Sequence, residues 1–338
     1  MKQAVMTQPG RIEVRDVPAP SVGRGEVLIR VRIIGVCGSD VHVWHGTHPY
    51  TGYPVVQGHE FAGVVEQVGD GVSGIEPGRK VTALPQVVCG KCGPCRRGDW
   101  HICESLKVRG FQAPGCAQEL FVAPAERVVT LPDSFSFRQG AMVEPTAVAV
   151  HALSRAGVAA GKNVVVLGAG PVGNLVGQVA RGRGAEVLIT DLSARRLEVA
   201  RECGLERTSD ASVEPLAAAV ERVFGDGGFQ LAFDCAGAEA TITSAVQSIG
   251  KGGTVVVVAV FSKPPRVDLG LVQDRELTLA GTLMYQRRDY EQAVAAIADG
   301  SVLLEPLMSG SFRLEDYAAA YEMVDERGEE VMKLFVEV

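Results

Sequence analysis

The sequence has no excess of basic charge, no internal repeat, no low-complexity segment and no long apolar run. Lys and Arg number 33 against 40 Asp and Glu, a formal net charge of −7. There is thus no basic stripe to hold a nucleic acid or an anionic membrane surface. Without an apolar run of roughly 20 residues, no bilayer-spanning helix is expected. The opening stretch MKQAVMTQPGRIEVRD lacks the apolar segment of a secretory signal, so the expected location is cytoplasmic. What is present is a globular composition, 46% hydrophobic and 22% charged, with 40 glycines that suit an α/β protein with many tight loops. A chain of 338 residues can form two domains, each with its own core.

The first ~145 residues read as β-rich, with short β-branched runs such as 27–34, 61–68 and 119–122 between Gly and Pro turns. After Val143-Glu144-Pro145 the pattern changes. Residues 163–167 form a nearly continuous apolar run, as a strand buried on both faces requires. A helix is expected over 171–183, a strand over 187–190 and a helix over 194–203, with Gly204 at the C-cap. Further strands fit 231–234, 254–259 and 277–280. Strand–helix alternation of this kind gives a doubly wound parallel sheet. The last fifty or so residues read as helical, ending in a strand-like tail at 333–338.

The strand at 164–167 runs into Gly168-Ala169-Gly170-Pro171-Val172-Gly173, a G-x-G-x-x-G that opens a helix. The first glycine permits the tight turn, the second lets backbone approach a pyrophosphate, and the third allows close helix–strand packing. The helix N-terminus offers free N–H groups to the phosphates. Asp191, about twenty residues on, ends the next strand where a carboxylate takes the ribose hydroxyls. It would repel a 2′-phosphate, which favours NAD over NADP, although Arg195 and Arg196 close by could receive one.

Eight cysteines are present, and Cys89, Cys92, Cys95 and Cys103 crowd into one short stretch. Four thiolates at this spacing make the closed tetrahedral shell of structural zinc. An iron–sulfur cluster on the same thiolates is the main alternative, and a disulfide pair a lesser one. Two further segments carry chemistry: Gly35-Val36-Cys37-Gly38-Ser39-Asp40-Val41-His42 and Gly58-His59-Glu60-Phe61-Ala62-Gly63. Taken singly, Cys37 reads as a small core hydrophobe, His59 as a satisfied buried histidine, Glu60 as a surface acid and Glu144 as a helix-start carboxylate.

Taken together, these motifs change the reading. The Cys37 segment, Gly58-His59-Glu60-x2-Gly63-x5-Gly69-x2-Val72, the four-cysteine lobe and Gly168 to Gly173 stand in the order and spacing of the zinc-containing medium-chain alcohol dehydrogenases. The sequence resembles that family along nearly its whole length. The resemblance implies an α/β fold: a GroES-like β-rich catalytic domain over 1–147, a Rossmann doubly wound parallel-sheet NAD-binding domain over 148–286, and a return segment over 287–338 that completes the first. It implies two zinc ions per chain, one structural and one catalytic, the latter held by Cys37 and His59. Where classical members place a second cysteine, this sequence has Glu144. That departure resembles the polyol, threonine and butanediol dehydrogenase branch, in which a carboxylate, Glu60 or Glu144, and a water complete the shell. Ser39 and His42 match the family's proton-relay positions. The implied reaction is hydride transfer from a secondary alcohol to NAD, giving a ketone.

The loop 44–50 is expected to border the substrate, with Trp44, Tyr50 and Tyr53 as candidate lining. Met284 stands about where sorbitol-type members carry an arginine; Arg287 and Arg288 are possible substitutes or plain surface charges. The family also implies a homodimer or homotetramer, with 277–283 as a candidate sheet edge. An L-threonine dehydrogenase and a non-catalytic NAD-binding protein are the competing readings.

Overall fold

The structure, a computed structural model, describes residues 1–157 and 160–338. It divides into two compact units. The first holds Met1–Glu144, Gln286–Val294 and Met308–Val338; the second holds Pro145–Tyr285 and Ala295–Leu307.

In the first unit, the strand Glu26–Val36 is the spine of a seven-stranded sheet. Val27, Ile29, Val31 and Ile34 on this strand are all but fully buried, which accounts for its β-branched composition. One side pairs antiparallel with Glu60–Val68. The other side is shared, with Leu120–Pro124 on its first half and Lys333–Glu337 on its last residues. The second pairing matters for the site: Leu334 lies opposite Val36, so the chain's end places Lys333 beside Cys37. The tail is therefore a strand, as expected. The preceding segment departs from the helical reading, because Met308–Arg313 forms a strand parallel to it. Its sequence MSGSFR alternates, but Met308 and Phe312 are the only sizeable apolar side chains in it, so the local pattern is weak and the pairing with Lys333–Glu337 defines the strand.

The second unit contains a six-stranded sheet in which every pairing is parallel. In spatial order the strands are Thr208–Asp210, Glu186–Asp191, Asn163–Leu167, Leu231–Asp234, Thr254–Val257 and Thr278–Gly281. Numbered along the chain this order is 3-2-1-4-5-6, that of a Rossmann sheet, which reverses direction between Asn163–Leu167 and Leu231–Asp234. Val164, Val165 and Val166 are fully buried, as a central parallel strand covered on both faces requires. Helices Pro171–Gly182 and Ala194–Glu202 follow the first two strands, and Gly204 takes φ +79° just past the second, ending it as a C-cap glycine does. Among the described residues, no helix is long and apolar enough to cross a membrane.

Candidate active site

Cys37 caps the short helix Gly38–Trp44, and its backbone N–H donates to Asp40 Oδ2 at 3.0 Å. Asp40 is completely buried, and its other oxygen lies 3.5 Å from His59 Nδ1. That distance suits an ion pair but is long for a hydrogen bond. With Nδ1 turned to the carboxylate, Nε2 is the nitrogen left for a metal, the arrangement in which a carboxylate orients a ligating histidine. Burial opposes a charged His59, but Asp40 and Cys37 beside it outweigh burial and raise its pKa well above the usual imidazole value. The pocket is thus built to accommodate positive charge. Cys37 Sγ, one His59 ring nitrogen and one Glu60 carboxylate oxygen lie within 4.8 Å of one another. A soft thiolate, an imidazole and a carboxylate at that separation fit a catalytic zinc with an open position.

Two supports of this cluster carried no sequence signal. The first is Lys333. It is buried, and its Nζ donates to both Glu60 oxygens at 2.8 Å and to the Val36 carbonyl at 3.1 Å. Burial works against its ammonium, but Glu60, Cys37 and Glu144 nearby raise its pKa and keep it charged. Nothing local marks Lys333, since its partner is 273 residues away in sequence. The second support is a buried polar chain. Tyr321 Oη donates to Gln57 Oε1 at 2.8 Å, and Gln57 Nε2 donates to the Asp40 carbonyl at 3.3 Å. Glu144 is buried near the cluster but outside the group of three donors. Ser39 Oγ lies 3.1 Å from Cys37 Sγ, and His42, one helical turn on, is exposed with Nδ1 3.5 Å from Thr47 Oγ1.

The loop after this helix differs in part from expectation. Trp44 is a core residue: it is buried, stacks on Tyr321 at 5.2 Å between centroids, and donates from Nε1 to Asp325. Tyr50 is 76% exposed, and the half-buried Tyr53 spends its hydroxyl on the Val43 carbonyl. Arg287 is structural, since it donates to the carbonyls of Glu126 and Val128 and pairs with Glu291.

The sulfurs of Cys89, Cys92, Cys95 and Cys103 also lie within 4.8 Å of one another. Cys92 Sγ and Cys103 Sγ are 3.9 Å apart, close to the ~3.8 Å edge of a tetrahedron with zinc–sulfur bonds of ~2.3 Å and far beyond a disulfide bond. Backbone N–H groups of Cys89 and Cys92 point at Cys103 and Cys89 sulfurs. Such donors favour thiolate, and backbone N–H from Lys91 and Cys92 brings the Cys89 pKa down to about 6. The group fits a structural zinc.

In the second unit Gly168 adopts φ +100°, open to glycine at little cost. A Cβ on Gly173 would collide with the Gly168 carbonyl, whereas no atom of the described residues lies near the Cβ position of Gly170. The loop is closed where helix meets strand and open where a pyrophosphate would approach. Gly170 caps the helix and Pro171 and Val172 begin it. Asp191 Oδ2 accepts the Ala169 N–H at 2.6 Å and Oδ1 accepts the Ser193 N–H at 2.8 Å. Arg195 is committed to Glu198 and Glu202 on its own helix, and the half-buried Arg196 gives its backbone N–H to Ser193 Oγ.

Comparison with known proteins agrees with both units. Residues 23–133 match the model of the alcohol dehydrogenase GroES-like domain, and residues 171–299 that of the zinc-binding dehydrogenases. The chain is 37% identical to a 2-dehydro-3-deoxy-L-galactonate 5-dehydrogenase of Pseudoalteromonas atlantica, covering 89% of this chain and 88% of the relative. It is 31% identical to a sorbitol dehydrogenase of Halalkalibacterium halodurans, covering 96% of each. An Escherichia coli alcohol dehydrogenase crystallised with NADH superposes with a TM-score of 0.93 at 28% identity, over 100% of this chain and 99% of that one. The chain belongs to the zinc-containing medium-chain alcohol dehydrogenase family, alongside its polyol, threonine and butanediol dehydrogenases.

Proposed function

We propose that the protein transfers a hydride from a secondary alcohol to NAD+, giving a ketone, and that its substrate is a small polyol, vicinal diol or sugar-derived alcohol. The observation that carries this reading is the convergence of Cys37, His59 and Glu60 donor atoms within 4.8 Å. When bound, the zinc acts as a Lewis acid on the substrate hydroxyl and NAD+ accepts the hydride. The rest falls to the chain's own residues. Cys37 and His59 hold the metal, Asp40 keeps His59 in the right tautomer, and one of Glu60 and Glu144 completes the shell. Ser39 and His42 stand one turn apart on the Gly38–Trp44 helix. Ser39 is half-buried and His42 exposed, so the pair offers the alcohol proton a path from the site to water.

Gly168, Gly170, Pro171, Val172 and Gly173 receive the pyrophosphate and Asp191 the ribose. Both Asp191 oxygens are held by backbone N–H groups, so the carboxylate cannot easily swing aside for a 2′-phosphate, which favours NAD. We place a two-fold contact at the sheet edge Thr278–Gly281, where Leu279 and the nearby Leu283 are 39% and 52% exposed. Unpaired edge strands with exposed apolar residues seek a partner, which supports a homodimer or a tetramer built on it.

The test is the initial rate of NADH appearance over sorbitol, xylitol, erythritol, 2,3-butanediol, L-threonine and several aldonic acids, with and without a zinc chelator. A chelator-sensitive rate with a polyol, diol or sugar acid supports the reading. A rate with threonine alone moves the protein to the amino-acid branch, and no rate with any of them overturns it.

A further inference from the structure

One imidazole in the first unit is held in place without being used by the proposed metal shell or the proton path. His48 is half-buried in the loop between the two ligand segments. Its ring lies nearly parallel to Phe111, 4.8 Å between centroids and 20° between planes, and Phe111 in turn meets the His59 ring at 5.0 Å. The two imidazoles are therefore within about 10 Å of each other, and both pack against one phenyl ring. Thr51 Oγ1 lies 2.7 Å from His48 Nδ1, and the Tyr50 backbone N–H points at the same nitrogen from 3.4 Å. A backbone N–H can only donate, so Nδ1 is an acceptor and the neutral ring carries its hydrogen on Nε2. Burial, with His42 and His59 nearby, lowers the pKa of His48 even though Asp40 acts the other way. Every hydrogen bond of this ring runs to Nδ1, and Nε2 is not among the buried unpartnered atoms. Nε2–H is thus an accessible donor without a partner among the described residues, on a ring whose tautomer and plane are both fixed.

We propose that His48 is a specificity-determining residue whose Nε2–H donates to a substrate oxygen several bonds away from the carbon being oxidised. This rests on the dehydrogenase reading above and narrows it. The preferred substrate carries at least one further oxygen acceptor, a hydroxyl or a carboxylate, on an open carbon chain long enough to reach from His59 to His48. A simple secondary alcohol occupies the metal but leaves His48 unpaired. Sites that recognise a substrate group by hydrogen bond discriminate against analogues lacking it.

The experiment compares the zinc-loaded wild-type enzyme with His48→Leu, His48→Asn and Thr51→Val, using 2-butanol and the best polyhydroxylated substrate among sorbitol, xylitol and an aldonic acid. Zinc per chain and NAD+ affinity by fluorescence are read alongside. For His48→Leu, the ratio of kcat/KM for the polyhydroxylated substrate to that for 2-butanol is expected to fall roughly tenfold or more, since tenfold corresponds to about 1.4 kcal/mol and one hydrogen bond contributes about that much. The loss should fall mainly on KM, with zinc content and NAD+ affinity kept. His48→Asn, which retains a donor, should recover part of the ratio, and Thr51→Val, which frees the ring, should lose part of it. An unchanged ratio, or equal losses on both alcohols, overturns the role of His48 while leaving the dehydrogenase reading intact. A wild-type enzyme that oxidises 2-butanol but no polyhydroxylated substrate also overturns it. A wild-type enzyme that oxidises no alcohol refutes the dehydrogenase reading, and the role of His48 with it.

Discussion

Removing the Lys333 ammonium tests how the site manages its charge. The side chains of Lys333 and Glu60 are 4% and 1% exposed, and the ammonium bonds both carboxylate oxygens at 2.8 Å. Lys333→Met keeps much of the volume but leaves Glu60 buried, charged and without its partner. Breaking such a pair from one side costs about 3–5 kcal/mol, because the remaining charge has lost both its partner and its water. At about 2–4 °C per kcal/mol for a body of this size, the metal-free protein should melt roughly 6–20 °C lower. Glu60→Gln should cost a similar amount by stranding Lys333. The double variant should cost much less than the two single losses added together, since no unpaired charge remains. With zinc present, a cation beside Glu60 takes over part of the ammonium's role, and the penalty of Lys333→Met should shrink. Thermal unfolding of all four proteins, with chelator and with zinc, measures each of these. Strictly additive losses, or a Lys333→Met variant as stable as wild type without zinc, would refute the reasoning.

Three further outcomes follow from the two units. Cys95→Ser should lose the structural zinc and lower the melting temperature, while the remaining zinc stays in place; metal analysis per chain checks this. In the intact protein the softer four-thiolate site should also release its zinc to chelator more slowly than the Cys37–His59 site, which a colorimetric release assay resolves into two phases. Asp191→Ala removes the carboxylate we propose as the ribose acceptor, which is also the partner of the Ala169 N–H. It should weaken NAD+ binding roughly tenfold to a hundredfold and narrow the preference over NADP+, as a charged hydrogen bond contributes about 1.5–3 kcal/mol; titration of both cofactors reads the change.

Much of this architecture was legible in the sequence because it is locally encoded. Residues 164–167 are apolar without alternation since both sheet faces are covered, and the glycine loop after them announces its turn. The four cysteines are near neighbours in sequence, so their spacing alone gathers them. The unreadable parts depend on partners far away. Met308–Arg313 has a weak local pattern, with two sizeable apolar residues, and shows as a strand once Lys333–Glu337 lies beside it. Lys333 looks like the polar end of an apolar strand until the fold sets Leu334 opposite Val36. Trp44 read as cleft lining, since nothing near it in sequence reveals the Tyr321 ring on which it stacks. Asp40 lies inside the Cys37 motif, yet only the fold brings it against His59.

The most direct test of the account is a paired count of zinc and turnover in Cys37→Ala. The wild-type protein should carry two zinc ions per chain and form NADH from its best alcohol, and Cys37→Ala should retain one zinc and lose that activity while keeping NAD+ binding. A variant that keeps both zincs, or that forms NADH undiminished with one, would contradict the claim that Cys37 and His59 hold the metal on which the reaction depends.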